Sequence, residues 1–148
     1  MKFSTRHDSD VPAEALFDAV SDFARAERLL VRRGAQVRRV TDAELAWDIA
    51  FDLRGRPRDL RLAVTRLDRP EVIALEGRGE LFDLHLVITV ISLARSRSRL
   101  VVEVEAKPRN LRARLAMQTA RLAKPQLDRQ FARRIGRFMS EIAARPVG

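Results

Sequence analysis

The sequence predicts an α+β domain: a curved antiparallel sheet of about seven strands, two short helices after the first strand, and a long C-terminal helix. Three observations carry this reading. From residue 37 to residue 104, stretches of two-residue alternation follow one another with only tight polar turns between them, and adjacent strands joined by short links pair antiparallel. Helical spacing occurs in two places, just after an opening strand and again from about Asn110 to about Ala144. Each strand has one apolar face, which a long amphipathic helix is available to cover. The 148 residues suffice for one such domain with a proper core. No repeat or linker divides them, so residues 1–148 are read as one domain.

The elements follow in order. Phe3, Thr5 and His7 alternate with Lys2, Ser4 and Arg6, as in an opening strand. Pro12 suits a first helical turn, and Ala15, Leu16, Ala19 and Val20 recur at helical spacing. Asp22 is placed to cap a second helix from Phe23 to about Arg33, with Gly34 at its C-terminal end. The period then changes to two. Val37 and Val40 make a short strand, and Thr41-Asp42-Ala43 reads as a turn. Leu45, Trp47, Ile49, Phe51 and Leu53 form the clearest apolar row, with Ala46, Asp48, Ala50 and Asp52 opposite. Arg54-Gly55-Arg56-Pro57 turns the chain into Leu60, Leu62 and Val64, and Asp68-Arg69-Pro70 turns it into Ile73 and Leu75. Gly77-Arg78-Gly79 reads as a strand-end turn. It is not a dinucleotide fingerprint, because Phe82 stands where a third glycine would be needed. Phe82, Leu84, Leu86, Ile88 and Val90 continue the inward set, Arg95-Ser96-Arg97-Ser98 is a polar hairpin loop, and Leu100, Val102 and Val104 close the sheet.

Pro108 ends the last strand. In the helix that follows, Leu111, Leu115 and Leu122 share one face, and Leu127, Phe131, Ile135, Phe138 and Ile142 share the next stretch of face. The step of five between Leu122 and Leu127 shifts the stripe, and Pro125 in that gap predicts a kink. A kinked helix stands off the sheet and leaves an opening at one end.

Composition excludes several chemistries. There is no cysteine, hence no disulfide, thiol nucleophile or thiolate metal site. Two histidines, His7 and His85, cannot build a three-histidine zinc centre. Asp42-Ala43-Glu44 reads as a turn rather than a metal site. No metal or cofactor is expected. The segment beginning Met1-Lys2-Phe3 has no apolar stretch of signal-peptide type. The longest apolar run, Leu84 to Ala94, is interrupted by His85, Thr89 and Ser92 and is shorter than the roughly 20 residues a membrane span needs. A cytoplasmic bacterial protein is the expectation.

Net charge is +9, and from Pro108 onward ten Lys/Arg face only two acids, Asp128 and Glu141. Two readings stand side by side. Arginine enrichment is a common consequence of GC-rich coding sequence, and an arginine-rich helix also attracts phosphate on anionic lipid or nucleic acid. Arg112, Arg121, Arg129, Arg133 and Arg137 are the candidates for contact with an anionic surface. Nucleic acid is the weaker form of that reading, since no base-stacking aromatics accompany the arginines.

The order of elements, and the run from Val11 to Phe23 with its pattern P-x-E-x-L-F-x-x-x-S-D-F, resemble the START-like superfamily. That group is also called SRPBCC and includes polyketide cyclase/dehydrase and Bet v 1-like helix-grip proteins. The topology matches along the whole chain; the local motif is structural. The resemblance implies a cavity between sheet and long helix, in which relatives bind lipids, sterols, quinones, polyketides or plant hormones, a minority of them catalysing cyclisation. No catalytic motif is shared across the group, so none is carried over.

On this basis the expected ligand is a small apolar molecule. The residues expected to line its cavity are Trp47, Ile49, Phe51, Leu62, Leu75, Leu86, Ile88, Leu115, Leu122 and Phe131, with His7 as the polar candidate because it shares the parity of Phe3 and Thr5. Trp47 reads as a core anchor as readily as a ligand platform. His85 should face outward beside Asp83 and Val87. The inward positions taken from the strand pattern carry no titratable group, which argues against general acid–base catalysis. The alternatives to ligand binding are surface association through the arginine helix and a partner-binding role.

Overall fold

The structure, a computed structural model, describes residues 1–40, 45–53 and 55–143. The turn at Thr41-Asp42-Ala43, the reading of Asp42-Ala43-Glu44, Arg54 and the helix end at Ala144 lie outside the described residues. The elements are β1 (Lys2–Ser9), α1 (Ala13–Val20), α2 (Phe23–Arg32), β2 (Gln36–Arg39), β3 (Ala46–Leu53), β4 (Arg56–Asp68), β5 (Val72–Gly79), β6 (Phe82–Ala94), β7 (Arg97–Pro108), α3 (Leu111–Leu122) and α4 (Lys124–Ala143). The strands form one antiparallel sheet in the order β1-β7-β6-β5-β4-β3-β2, as the fold class predicts. Bulges in β4 between Val64 and Arg66 and in β6 between Ser92 and Ala94 bend the longest strands, as extra residues on one side of a ladder do.

Two helices, α2 and α3, start where a side chain closes a free N–H group. Asp22 accepts from the Arg25 amide at 3.1 Å and Asn110 accepts from the Ala113 amide at 2.8 Å. Gly34 follows α2 with φ 99°, a backbone that favours glycine.

One solid core occupies most of the interior. Leu16 and Phe17 of α1, Ile73 and Leu75 of β5, Val90 of β6, Leu100 and Val102 of β7 and Met139 of α4 pack together, and Phe17 and Ile73 are fully buried. Val20, Phe23, Leu62, Leu86, Ile88, Phe131 and Ile135 close around that cluster. Phe3 and Phe131 meet with ring centroids 5.6 Å apart, setting α4 on β1. Arg25 in the first turn of α2 and Arg33 at its C-terminal cap tie to Glu141, through its carbonyl at 2.8 Å and its carboxylate at 2.5 Å.

Three local expectations change. The long C-terminal helix is two helices, broken at Ala123 (φ −105°, ψ 16°), two residues before Pro125, whose missing N–H is harmless in the first turn of α4. Gly77-Arg78-Gly79 stays in β5, and the turn falls at Glu80-Leu81. Gly77 faces inward, where a Cβ would meet Leu60 Cδ1 at 3.0 Å and Leu84 Cβ at 3.3 Å, so glycine lets two leucines from neighbouring strands close over it. Ser98 is not a loop residue: it lies in β7, fully buried, and its hydroxyl donates to the Val11 carbonyl at 2.8 Å.

Candidate functional site

Beyond the solid core, at the β2–β3–β4 end, the sheet and the helices part. The cleft between them has a volume of about 1680 Å³. Its sheet wall carries Val37, Ile49, Phe51, Leu60 and Leu84, and its helix wall carries Ala116, Thr119, Ala120, Ala123, Leu127, Gln130 and Arg134. The opening has a cause in the sequence. The part of α3 that faces the sheet here offers alanine and threonine, which leave unfilled the space that leucine or phenylalanine would occupy. The inner row of β5 ends in Gly77 and Gly79, which add no side chain. The break at Ala123 falls within this wall.

Ile49 and Phe51 stand on the cleft wall. Trp47, Leu62, Leu75, Leu86, Ile88 and Phe131 point inward too, but the core absorbs them. Leu75 is itself buried in the core cluster, and Leu62, Leu86, Ile88 and Phe131 pack against it. Trp47 is buried against Phe23 at 5.4 Å between centroids, and its indole N–H donates to Glu27, which also accepts from Arg39. It anchors α2 to the sheet.

Leu115 and Leu122 are a correction. They are 56% and 88% exposed, and Leu111 is 71% exposed. The helix break separates the phase of α3 from that of α4, and α3 seats itself through Ala113 and Met117, which turns the leucines to solvent.

His7 faces inward as its parity requires, yet away from the cleft. Its ring rests on Gly136 of α4, and its Nε2 is 3.3 Å from the Thr5 hydroxyl. His85 is half-exposed with Nδ1 3.9 Å from Glu76, on the outer face as expected. Neither histidine lines the cleft.

The polar side chain that pattern reading passed over is Arg58. It sits in β4 opposite Phe51, half-buried, and lines the cleft. It has the parity of Leu60 and Leu62, so counting back two residues from Leu60 finds it. Reading the preceding turn as the limit of the strand hid it, because β4 starts at Arg56. Neither Arg58 nor Arg134 on the facing wall has an ion-pair partner among the described residues.

At the rim, Asp48 accepts from Arg61 at 2.8 and 2.9 Å and from Arg38 at 2.9 Å. The hydrogen bonds from Arg61, then those from Arg38, lower its carboxyl from the ordinary 3.8 to about 2. This cluster straps the edge strand β2 across β3 to β4. Among the described residues no group of three or more metal-ligating side chains occurs, and no helix is long and apolar enough to cross a membrane.

No protein-family model matches the sequence, and no curated protein sequence matches it. Solved structures do match in fold. A protein of Thermus thermophilus aligns with TM-score 0.73 at 9% identity, over 97% of this chain and 98% of that one. Norcoclaurine synthase of Thalictrum flavum, solved in complex with dopamine and hydroxybenzaldehyde, aligns with TM-score 0.69 at 9% identity, over 100% of this chain and 89% of that one. The Zhui aromatase/cyclase of a Streptomyces species aligns with TM-score 0.62 at 14% identity, over 97% and 94%. The chain therefore has the START-like, Bet v 1-type helix-grip fold, in which a curved sheet holds a C-terminal helix against its concave face.

Proposed function

We propose that the protein binds a small amphipathic molecule, apolar along most of its length, in the cleft between β3–β4 and the α3–α4 corner. One observation carries this reading: beside the packed core, at this end, a wall of Ile49, Phe51, Leu60 and Leu84 faces a helix surface of alanine and threonine across an open cleft. Half-buried Phe51, Leu60 and Leu84 beside an opening suit an apolar occupant. Burying about 300 Å² of apolar ligand surface gains roughly 7 kcal/mol at about 25 cal/mol per Å². The cost of immobilising the ligand brings the expected affinity to the micromolar range.

Arg58 and Arg134 give the ligand its polar end. Both line the cleft, both lack an acidic partner, and guanidinium pairs with carboxylate, sulfonate or phosphate oxygens in a planar fork. Binding, rather than catalysis, is the activity these groups support. An arginine stays charged at neutral pH and exchanges no proton, both histidines lie elsewhere, and of the carboxylates along the cleft Asp48 is held by Arg38 and Arg61 while Asp52, Asp59 and Glu80 are exposed. Norcoclaurine synthase, of the same fold and solved in complex with dopamine and hydroxybenzaldehyde, supports small-molecule binding as a use of this fold.

The test is a fluorescence titration with an anilinonaphthalene sulfonate dye, apolar with one anionic group. Saturable binding at micromolar dye is expected, weakened at least tenfold by Arg58→Ala and abolished by Ala120→Trp, which fills the helix wall. Dye binding unchanged in both variants would refute the assignment of the cleft.

A further inference from the structure

We infer that α3 is a membrane-docking helix, which seats the protein on the surface of an anionic bilayer. The inference starts from the leucines that turned outward. Leu111, Leu115 and Leu122 are 71%, 56% and 88% exposed. At about 100° per residue they fall within about 40° of arc, one narrow apolar stripe on the side of α3 opposite its buried Ala113 and Met117. Large exposed apolar side chains scattered singly need no explanation, but three aligned on one helix mark a contact surface.

The charges around the stripe say what the contact is. By the same angular count, Arg112 lies roughly 80° to one side, and Arg114 and Arg121 roughly 80–100° to the other. All three are exposed. No Asp or Glu occurs from Pro108 to Leu127, and none of the three arginines is ion-paired among the described residues. A leucine ridge between two arginine flanks is the layout of a helix lying in the interfacial plane, with leucines in the acyl boundary and guanidinium groups at lipid phosphates. A second copy of the chain is a poorer occupant, because pairing the stripe with itself would bring the arginine flanks of both copies together. A nucleic acid would satisfy the arginines and leave the leucines in water.

Docking leaves the cleft on the flank of α3: of its helix wall, Thr119 lies roughly 60° from the stripe, and Ala116 and Ala120 lie roughly 120–160° from it, toward the buried Ala113 and Met117. The docking surface itself stands without any statement about what fills the cleft.

The test is co-sedimentation of the full-length chain with extruded vesicles of phosphatidylcholine alone and of phosphatidylcholine with one-quarter phosphatidylglycerol, at about 100 mM salt. Binding to the anionic vesicles at least tenfold tighter than to the neutral ones is expected. Leu115→Ser/Leu122→Ser and Arg112→Ala/Arg121→Ala should each lower it at least fivefold. These sites are exposed, and matching thermal melts would show that the variants fold. Loss of binding in both variants establishes the surface. Four results would overturn the inference: no sedimentation with either vesicle; binding that the leucine pair does not affect, which is charge attraction alone; binding that is equal on both vesicles; or a solution dimer, seen by light scattering, that the leucine substitutions dissolve. Vesicle binding with no dye binding would leave this inference standing and overturn the ligand reading alone.

Discussion

The imidazole of His7 lies so close to Gly136 that a methyl group there would stand 2.9 Å from its Cε1. The strand and the helix thus share one volume: the ring fits because the helix has no side chain at that place. Glycine in a helix interior costs roughly 1 kcal/mol relative to alanine, so Gly136→Ala would ordinarily stabilise α4. Here the clash opposes that gain. Gly136→Ala is expected to be neutral or destabilising in the native chain, and to stabilise by about 0.5–1 kcal/mol when His7 is already alanine. Denaturant melts of the two single variants and the double variant measure the coupling. Additive effects would show that the ring simply moves aside.

Asp48 links stability to pH. Its folded carboxyl titrates at about 2, below the ordinary 3.8, mainly through hydrogen bonds from Arg61 and then from Arg38. A depressed carboxyl contributes stability that is fully present above its unfolded value and is lost as pH falls through the folded one. Asp48→Asn is therefore expected to lower the melting temperature at pH 7, with the gap from the native chain closing between about pH 5 and pH 2. The measurement is thermal melting across that range. A gap independent of pH would mean that the cluster does not hold the proton off.

Ser98 joins β7 to the entrance of α1 through the Val11 carbonyl at 2.8 Å, with no exposed surface. Ser98→Ala keeps the volume of the β-carbon and leaves the carbonyl of half-buried Val11 without that donor. A loss of about 1–3 kcal/mol in chemical denaturation is expected. A change under about 0.3 kcal/mol would show that water reaches Val11.

Much of this was legible in the sequence, for a physical reason. A strand half-buried against a core must alternate, so the inward rows from Trp47 to Leu53 and from Phe82 to Val90 could be read residue by residue, and His85 was placed outside on parity alone. Asp22 and Gly34 marked the second helix by chemistry that caps helix ends. The phase of α3 was not legible. Leu111, Leu115 and Leu122 make a regular stripe whichever way the helix turns, and leucine outranks alanine on any scale of apolarity. What decides is fit: Ala113 and Met117 are the residues that the helix seats. The division of the interior into filled core and open cleft was equally hidden, because it depends on which inward side chains find partners. Trp47 and Leu75 do; Phe51 stands on the cleft wall. Arg58 is hidden for a simpler reason: the turn signal Arg54-Gly55-Arg56-Pro57 overlaps the start of β4, which begins at Arg56.

The central claim is that the cleft at the α3–α4 corner takes up a small amphipathic molecule. The most direct measurement is mass spectrometry of an organic extract of the purified protein, beside extracts of the Ala120→Trp variant and of a mock purification. The account expects a molecule near one per chain, apolar with an acidic group, from the native protein and its loss from the variant. An extract from the native protein that matches the mock, or a molecule that the variant retains in equal amount, would contradict it.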